Sequence, residues 1–287
     1  MFKSIFSFFS IALIITTLIS CQKDEISSSL KSGELSSAQS QSKTGSGTKS
    51  LSLSYGDTLF YLHPGGSNII FPVNTLAGGG EYIGFPRGIE LDSLTGAIDI
   101  SRSETGLRYK IMYIIHGSSD TISTKITLSG INFYDGIYNL SKGDSIAPSI
   151  YNASGIPFVP GQFGIGKNCV FDDGNDCNKQ GCNVSLVDGR INLAKSLRDG
   201  AVLRKNDSQK EFTYYYRMDD ASDKALNHLK VKIYYYNSAA DIPQYLWDIV
   251  LHDHAGTILP GVKPLYGSMR GAATARPRPP CLIIVMN

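Results

Sequence analysis

One order of signals runs through this chain twice. Leu53-Ser54-Tyr55-Gly56-Asp57-Thr58 returns as Leu140-Ser141-Lys142-Gly143-Asp144-Ser145. Gly88-Ile89-Glu90-Leu91, followed by Gly96-Ala97-Ile98-Asp99-Ile100, returns as Asn183-Val184-Ser185-Leu186, followed by Gly189-Arg190-Ile191-Asn192-Leu193. Two stretches suited to long hairpins, 107–131 and 210–236, come next in each copy. A repeat with a period of about 90 residues constrains the chain to two copies of one folding unit, the second enlarged by an insertion around Cys169 to Cys182.

The texture inside each copy is that of strands. Tyr109 to Ile115 is rich in β-branched and aromatic residues, and Thr124 to Leu128 alternates apolar with polar. Glu211 to Met218 and Leu229 to Tyr236 repeat the pattern, with turn-forming Gly117-Ser118-Ser119-Asp120 and Met218 to Asp223 beside them. After Asn237 the period changes. Ile242, Tyr245, Leu246, Ile249 and Val250 form a helical stripe with Asp241 as a cap and Pro243 in the first turn, and Cys281 to Val285 reads as a last strand.

Gly88-Ile89-Glu90-Leu91-Asp92-Ser93-Leu94-Thr95-Gly96-Ala97-Ile98, then Thr105-Gly106 and Tyr109, is similar to the bacterial Ig-like, cadherin-like repeats. In that pattern Thr-Gly supplies the positive-φ position of a tight turn. In the second copy only Gly189-Arg190-Ile191 keeps it. The expected fold is therefore mainly β: two tandem Ig-like β-sandwich domains, 51–136 and 137–287, with one short C-terminal helix and a final strand. The resemblance implies a spacer, an adhesion module or a ligand-binding module.

The first residues carry an address. Lys3, the apolar run Ile5 to Ile19 and small Ser20 before Cys21 have the parts of a signal peptide over 1–20. Leu18-Ile19-Ser20-Cys21 resembles a lipobox, which implies cleavage before Cys21 and acylation (palmitate among the chains) of its thiol. Gln22-Lys23-Asp24-Glu25 resembles the acidic export signal of Bacteroidota-type lipoproteins, which implies the outer face of the outer membrane. Residues 22–50 hold ten Ser and no aromatic residue, so 21–50 reads as a flexible stalk on a lipid anchor. The formal net charge is +2 and falls to +1 once Lys3 leaves with the leader, so nothing favours nucleic acid as a partner.

Four side-chain groups are candidates for chemistry. Cys169, Cys177, Cys182 and Cys281 are an even set in an exported chain, and the reading is one disulfide within 169–182 and one bringing Cys281 to the second domain. Asp172, Asp173, Asn175 and Asp176 cluster around Gly174 and would suit calcium, although a polar turn has the same composition. Alternation along the second hairpin puts Phe212, Tyr214, Tyr216 and Met218, with Val231, Ile233 and Tyr235, in the core. It sends Tyr215, Tyr234 and Tyr236, with Arg217, to the other face, where an outward aromatic patch would suit sugar rings or a protein partner unless the C-terminal helix covers it. His252-Asp253-His254 reads as a solvated helix end. No nucleophile elbow, His-Glu-x-x-His or P-loop is present.

The expectation from sequence is a surface-displayed outer-membrane lipoprotein that binds or adheres, without catalysis, to a glycan or another envelope protein. A structural spacer is the alternative, and an enzyme with its site in 156–182 the more remote one.

Overall fold

The computed structural model describes residues 52–74, 76, 79–253 and 279–287. Cys21, the leader before it, the acidic residues after it and His254 lie outside the described residues. The described residues belong to one compact unit. Its architecture is mainly β, as the alternating runs require, with helices only as short turns and one C-terminal segment.

The first half is built from β1 (Leu59–Phe60), β2 (Ile69–Ile70), β3 (Gly80–Phe85), β4 (Ile98–Asp99), β5 (Arg108–Ile115) and β6 (Thr121–Leu128). A four-stranded sheet in the order β1-β6-β5-β3 faces the small β2–β4 ribbon. Between them Tyr82, Leu91, Ile98, Tyr109, Ile111, Tyr113, Ile126 and Leu128 form one core. The β5–β6 hairpin turns at Gly117, whose positive φ suits the tight return.

Then come β7 (Ile131–Phe133), β8 (Gly136–Asn139), β9 (Ile146–Ala147), β10 (Ser149–Tyr151) and β11 (Val170–Phe171). They are followed by α1 (Asp176–Lys179), β12 (Ile191–Asn192), α2 (Leu193–Arg198), β13 (Ser208–Arg217) and β14 (Asn227–Tyr236). The chain ends with α3 (Gln244–Asp248) and β15 (Cys281–Val285). A five-stranded sheet, ordered β11-β13-β14-β15-β8, faces the β9–β12 ribbon over a second core.

The repeat is real down to single hydrogen bonds, at an offset of 93 residues: the bridge Leu91–Ile98 returns as Val184–Ile191. Asp92 N–H to Ala97 and Gly96 N–H to Asp92 return as Ser185 N–H to Arg190 and Gly189 N–H to Ser185. Ser103 and Ser196 each donate to the carbonyl four residues back, Asp99 and Asn192, and each accepts from the backbone of the facing segment. This register corrects the sequence alignment by two residues. Val184, not Leu186, is the counterpart of Leu91, and Leu186 is 60% exposed at the turn. The earlier match also shifts. The segment opposite β4 starts at Asn68, whose carbonyl accepts from Ile100, and its counterpart Ser145 accepts from Leu193. Leu53 to Thr58 is therefore not the partner of Leu140 to Ser145, because short Gly-Asp turns recur without marking equivalent strands.

The two cores share a ribbon. In the β7–β10 pair, Ile131, Phe133 and Tyr151 enter the second core, while Asn132 and its partner Ile150 face the first. Asn132 donates to Glu104 and to the Thr105 carbonyl, and the Tyr216 hydroxyl meets Thr105 Oγ1 at 2.5 Å and accepts from Ile131 N–H. These bonds are buried, where a low dielectric makes satisfied polar pairs strong and orphaned ones costly.

Candidate ligand-binding groove

The second sheet keeps its expected core and loses its expected surface. Phe212, Tyr214, Tyr216, Met218, Val231, Ile233 and Tyr235 all lie in the second core. The aromatic patch does not form. Tyr234 and Tyr236 are buried beneath a third apolar cluster made by Ile242 and Leu246 from the C-terminal segment and by Cys281, Ile283 and Val285 of β15. Register also separates the three tyrosines: Tyr215 pairs with His228 while Tyr234 pairs with Gln209. Six residues of strand, about 20 Å, lie between those two rungs. Arg217 is a structural clamp, its Nε donating to Asp173 at 2.7 Å and a terminal nitrogen to the Lys224 carbonyl. The physical reason is the C-terminal segment: β15 lies beside β14 in the same sheet, so Ile283 and Val285 flank Tyr234 and Tyr236 while Ile242 and Leu246 pack over that face.

The acidic turn serves its own loop. Asp172 is buried and accepts from Cys177 N–H, Asn178 N–H and the Asn178 side-chain amide at 2.7–2.9 Å. Asp173 holds Arg217, and Asp176 pairs at the surface with Lys179. Asn175 takes the left-handed position before α1. Among the described residues no three His, Cys, Asp or Glu side chains converge as a metal cluster.

Nor do the cysteines pair as expected. Cys169, Cys177 and Cys182 are thiols that pack on the second core. Cys281 sits in the cluster on the opposite face of the same sheet and reaches the second half through β-pairing, not a bridge. Cys177 and Cys182 are neighbours, and the Cys182 thiol, then burial, push the Cys177 thiol far above its usual range. Burial raises Cys169 as well, against the opposing bond from Asp219 N–H.

The surface feature that does form lies on the first sheet. On its outer face, Thr58, Leu59, Arg108, Lys125, Thr127 and Asn152 line a groove of about 430 Å³. The sheet register builds it: Thr127 stands between Leu59 and Arg108 on one rung, and Lys125 stands opposite Lys110 on the next of the same face. The Arg108 and Lys125 positions are diagonal neighbours, about 7–8 Å apart across the pair. Asn152 is held at φ 50 by a reciprocal pair, its N–H on the Gly130 carbonyl and its Oδ1 accepting from Gly130 N–H.

Every charged lining residue is a cation. Arg108 and Lys125 are exposed, and neither joins an ion pair among the described residues. The nearby Asp57 carboxylate is turned onto its own backbone, accepting from Thr58 and Leu59 N–H. On the second hairpin, by contrast, Lys230 meets Glu211 at 3.0 Å. Lys110 and Lys125 form a like-charge rung on the face that carries the groove. Sequence reasoning passed over these residues, yet the signal was legible. The Gly117 turn sets a register in which Lys110 falls opposite Lys125.

No family model and no curated protein matches the chain. The solved structure of human protocadherin-24 EC1-2 is similar at 8% identity with a TM-score of 0.23, covering 64% of this chain and 94% of that one. A likeness of that size leaves the functional reading to the groove.

Proposed function

We propose that this chain is a lipid-anchored, cell-surface binding protein with no catalytic step, holding an extracellular glycan on the outer face of its first sheet. The observation that carries the reading is the groove. It has a volume of about 430 Å³, the size of many small-ligand sites, and it is lined by two cations that join no ion pair among the described residues. The residues around Cys21 support the anchor, and the Ser-rich stretch after them supports a stalk.

Two measurements test it. Metabolic labelling with a palmitate analogue should mark the chain, and Cys21→Ala should abolish the label. The detergent-solubilised mature protein should retain members of a glycan array. A persistent label in the variant removes the anchor, and an array without binders removes the glycan reading. Capture of an envelope protein that Arg108→Ala leaves intact would move the binding role to another surface.

A further inference from the structure

We propose that the groove takes an acidic saccharide, a sugar bearing carboxylate or sulfate groups, with Arg108 and Lys125 as the residues that select the charge. The inference rests on the binding reading above and adds the ligand class.

Three features point to it. The charged lining is cationic throughout, with no carboxylate among Thr58, Leu59, Arg108, Lys125, Thr127 and Asn152. A guanidinium beside an ammonium suits an oxyanion, which the arginine can engage through two parallel donors. The remaining polar groups suit hydroxyls. Thr58 and Thr127 offer hydroxyls, and Asn152, whose Oδ1 accepts from Gly130 N–H, has an amide NH2 as a further donor. The groove runs across the sheet face, from edge strand β1 over β6 to β5, so side chains line it and not a row of backbone donors and acceptors. The apolar contribution is Leu59 alone, half-buried.

Exposure of the two cations sets the strength. Charges at a solvated rim are screened by salt, so affinity should fall as ionic strength rises. Removal of either cation should weaken binding by about tenfold, the scale of one charge-assisted hydrogen bond. Both side chains are exposed, so their alanine variants should fold as the parent does.

The test immobilises the mature chain and offers four probes: polygalacturonate, chondroitin sulfate, neutral dextran and poly-L-glutamate. Retention of polygalacturonate, chondroitin sulfate or both, reduced by added NaCl and by Arg108→Ala and Lys125→Ala, supports the proposal. The two acidic probes separate carboxylate from sulfate as the source of charge. Lys230→Ala, which removes a lysine on the other hairpin, should leave retention unchanged. Dextran bound as tightly as the acidic polymers overturns the acidic class while leaving glycan binding standing. Poly-L-glutamate bound as tightly overturns the saccharide assignment. Equal losses in Lys230→Ala and Arg108→Ala overturn the site, and failure to retain either acidic polysaccharide overturns this inference, while the glycan array decides the reading beneath it.

Discussion

Tyr216→Phe tests whether a single hydroxyl joins the two halves of this protein. The side chain is fully buried in the second core, and its hydroxyl bonds Thr105 Oγ1 at 2.5 Å and accepts the Ile131 N–H at 3.1 Å. Phenylalanine keeps the ring and its packing. It orphans the Ile131 N–H in a place that water does not reach, which costs about 1–3 kcal/mol, and loses the Thr105 bond, worth about 0.5–1.5 kcal/mol. The sum expected is about 1.5–4.5 kcal/mol, a fall in Tm of roughly 3–18 °C for a unit of this size. Urea unfolding followed by circular dichroism should show a lower midpoint with an unchanged slope. Tyr245→Phe is the control, since Tyr245 is 56% exposed and should shift stability by less than about 0.5 kcal/mol. A Tyr216→Phe loss no larger than the control's would refute the argument that this hydroxyl carries the joint.

Other outcomes follow from the same geometry. Gly189→Ala should cost about 2–4 kcal/mol, because φ is +73° and an added Cβ would sit 2.7 Å from the Phe171 ring and the Tyr214 hydroxyl; chemical denaturation measures it, and a neutral substitution would mean the turn is not held there. Non-reducing peptide mapping after treatment with a disulfide oxidant should link Cys177 to Cys182 and never Cys281 to either, since a sheet lies between them. A Cys177–Cys281 peptide would contradict the topology. Burial, then Glu104, holds the Tyr109 phenol well above the ordinary value near 10, and burial, then Cys177, does the same for Tyr214. A folded pKa raised above the unfolded one leaves stability intact below about pH 10 and removes it as pH climbs from there towards the folded value. Absorbance at 295 nm should therefore show these phenols ionising together with loss of the circular dichroism signal. Normal titration near pH 10 with the fold intact would count against their burial.

The chain's own order determined the strands, the repeat and the second core. Alternation over two residues assigns Phe212, Tyr214 and Tyr216 to one side of a strand whatever lies around it, and Val231, Ile233 and Tyr235 answer them on the next. That information is local, because the pleat has a fixed period. What covers the opposite side is not local. Tyr234 and Tyr236 have the same alternation whether they face water or protein, and only the docking of β15 and the C-terminal segment decides that they are buried. The groove divides in the same way. The turn at Gly117 determines that Lys110 opposes Lys125, whereas Thr58 and Asn152, far away along the chain, reach Arg108 only through the parallel pairing of β1 and the shared ribbon. Hairpin register is set by a few adjacent residues, but a surface assembled from distant segments exists only after the loops between them have closed.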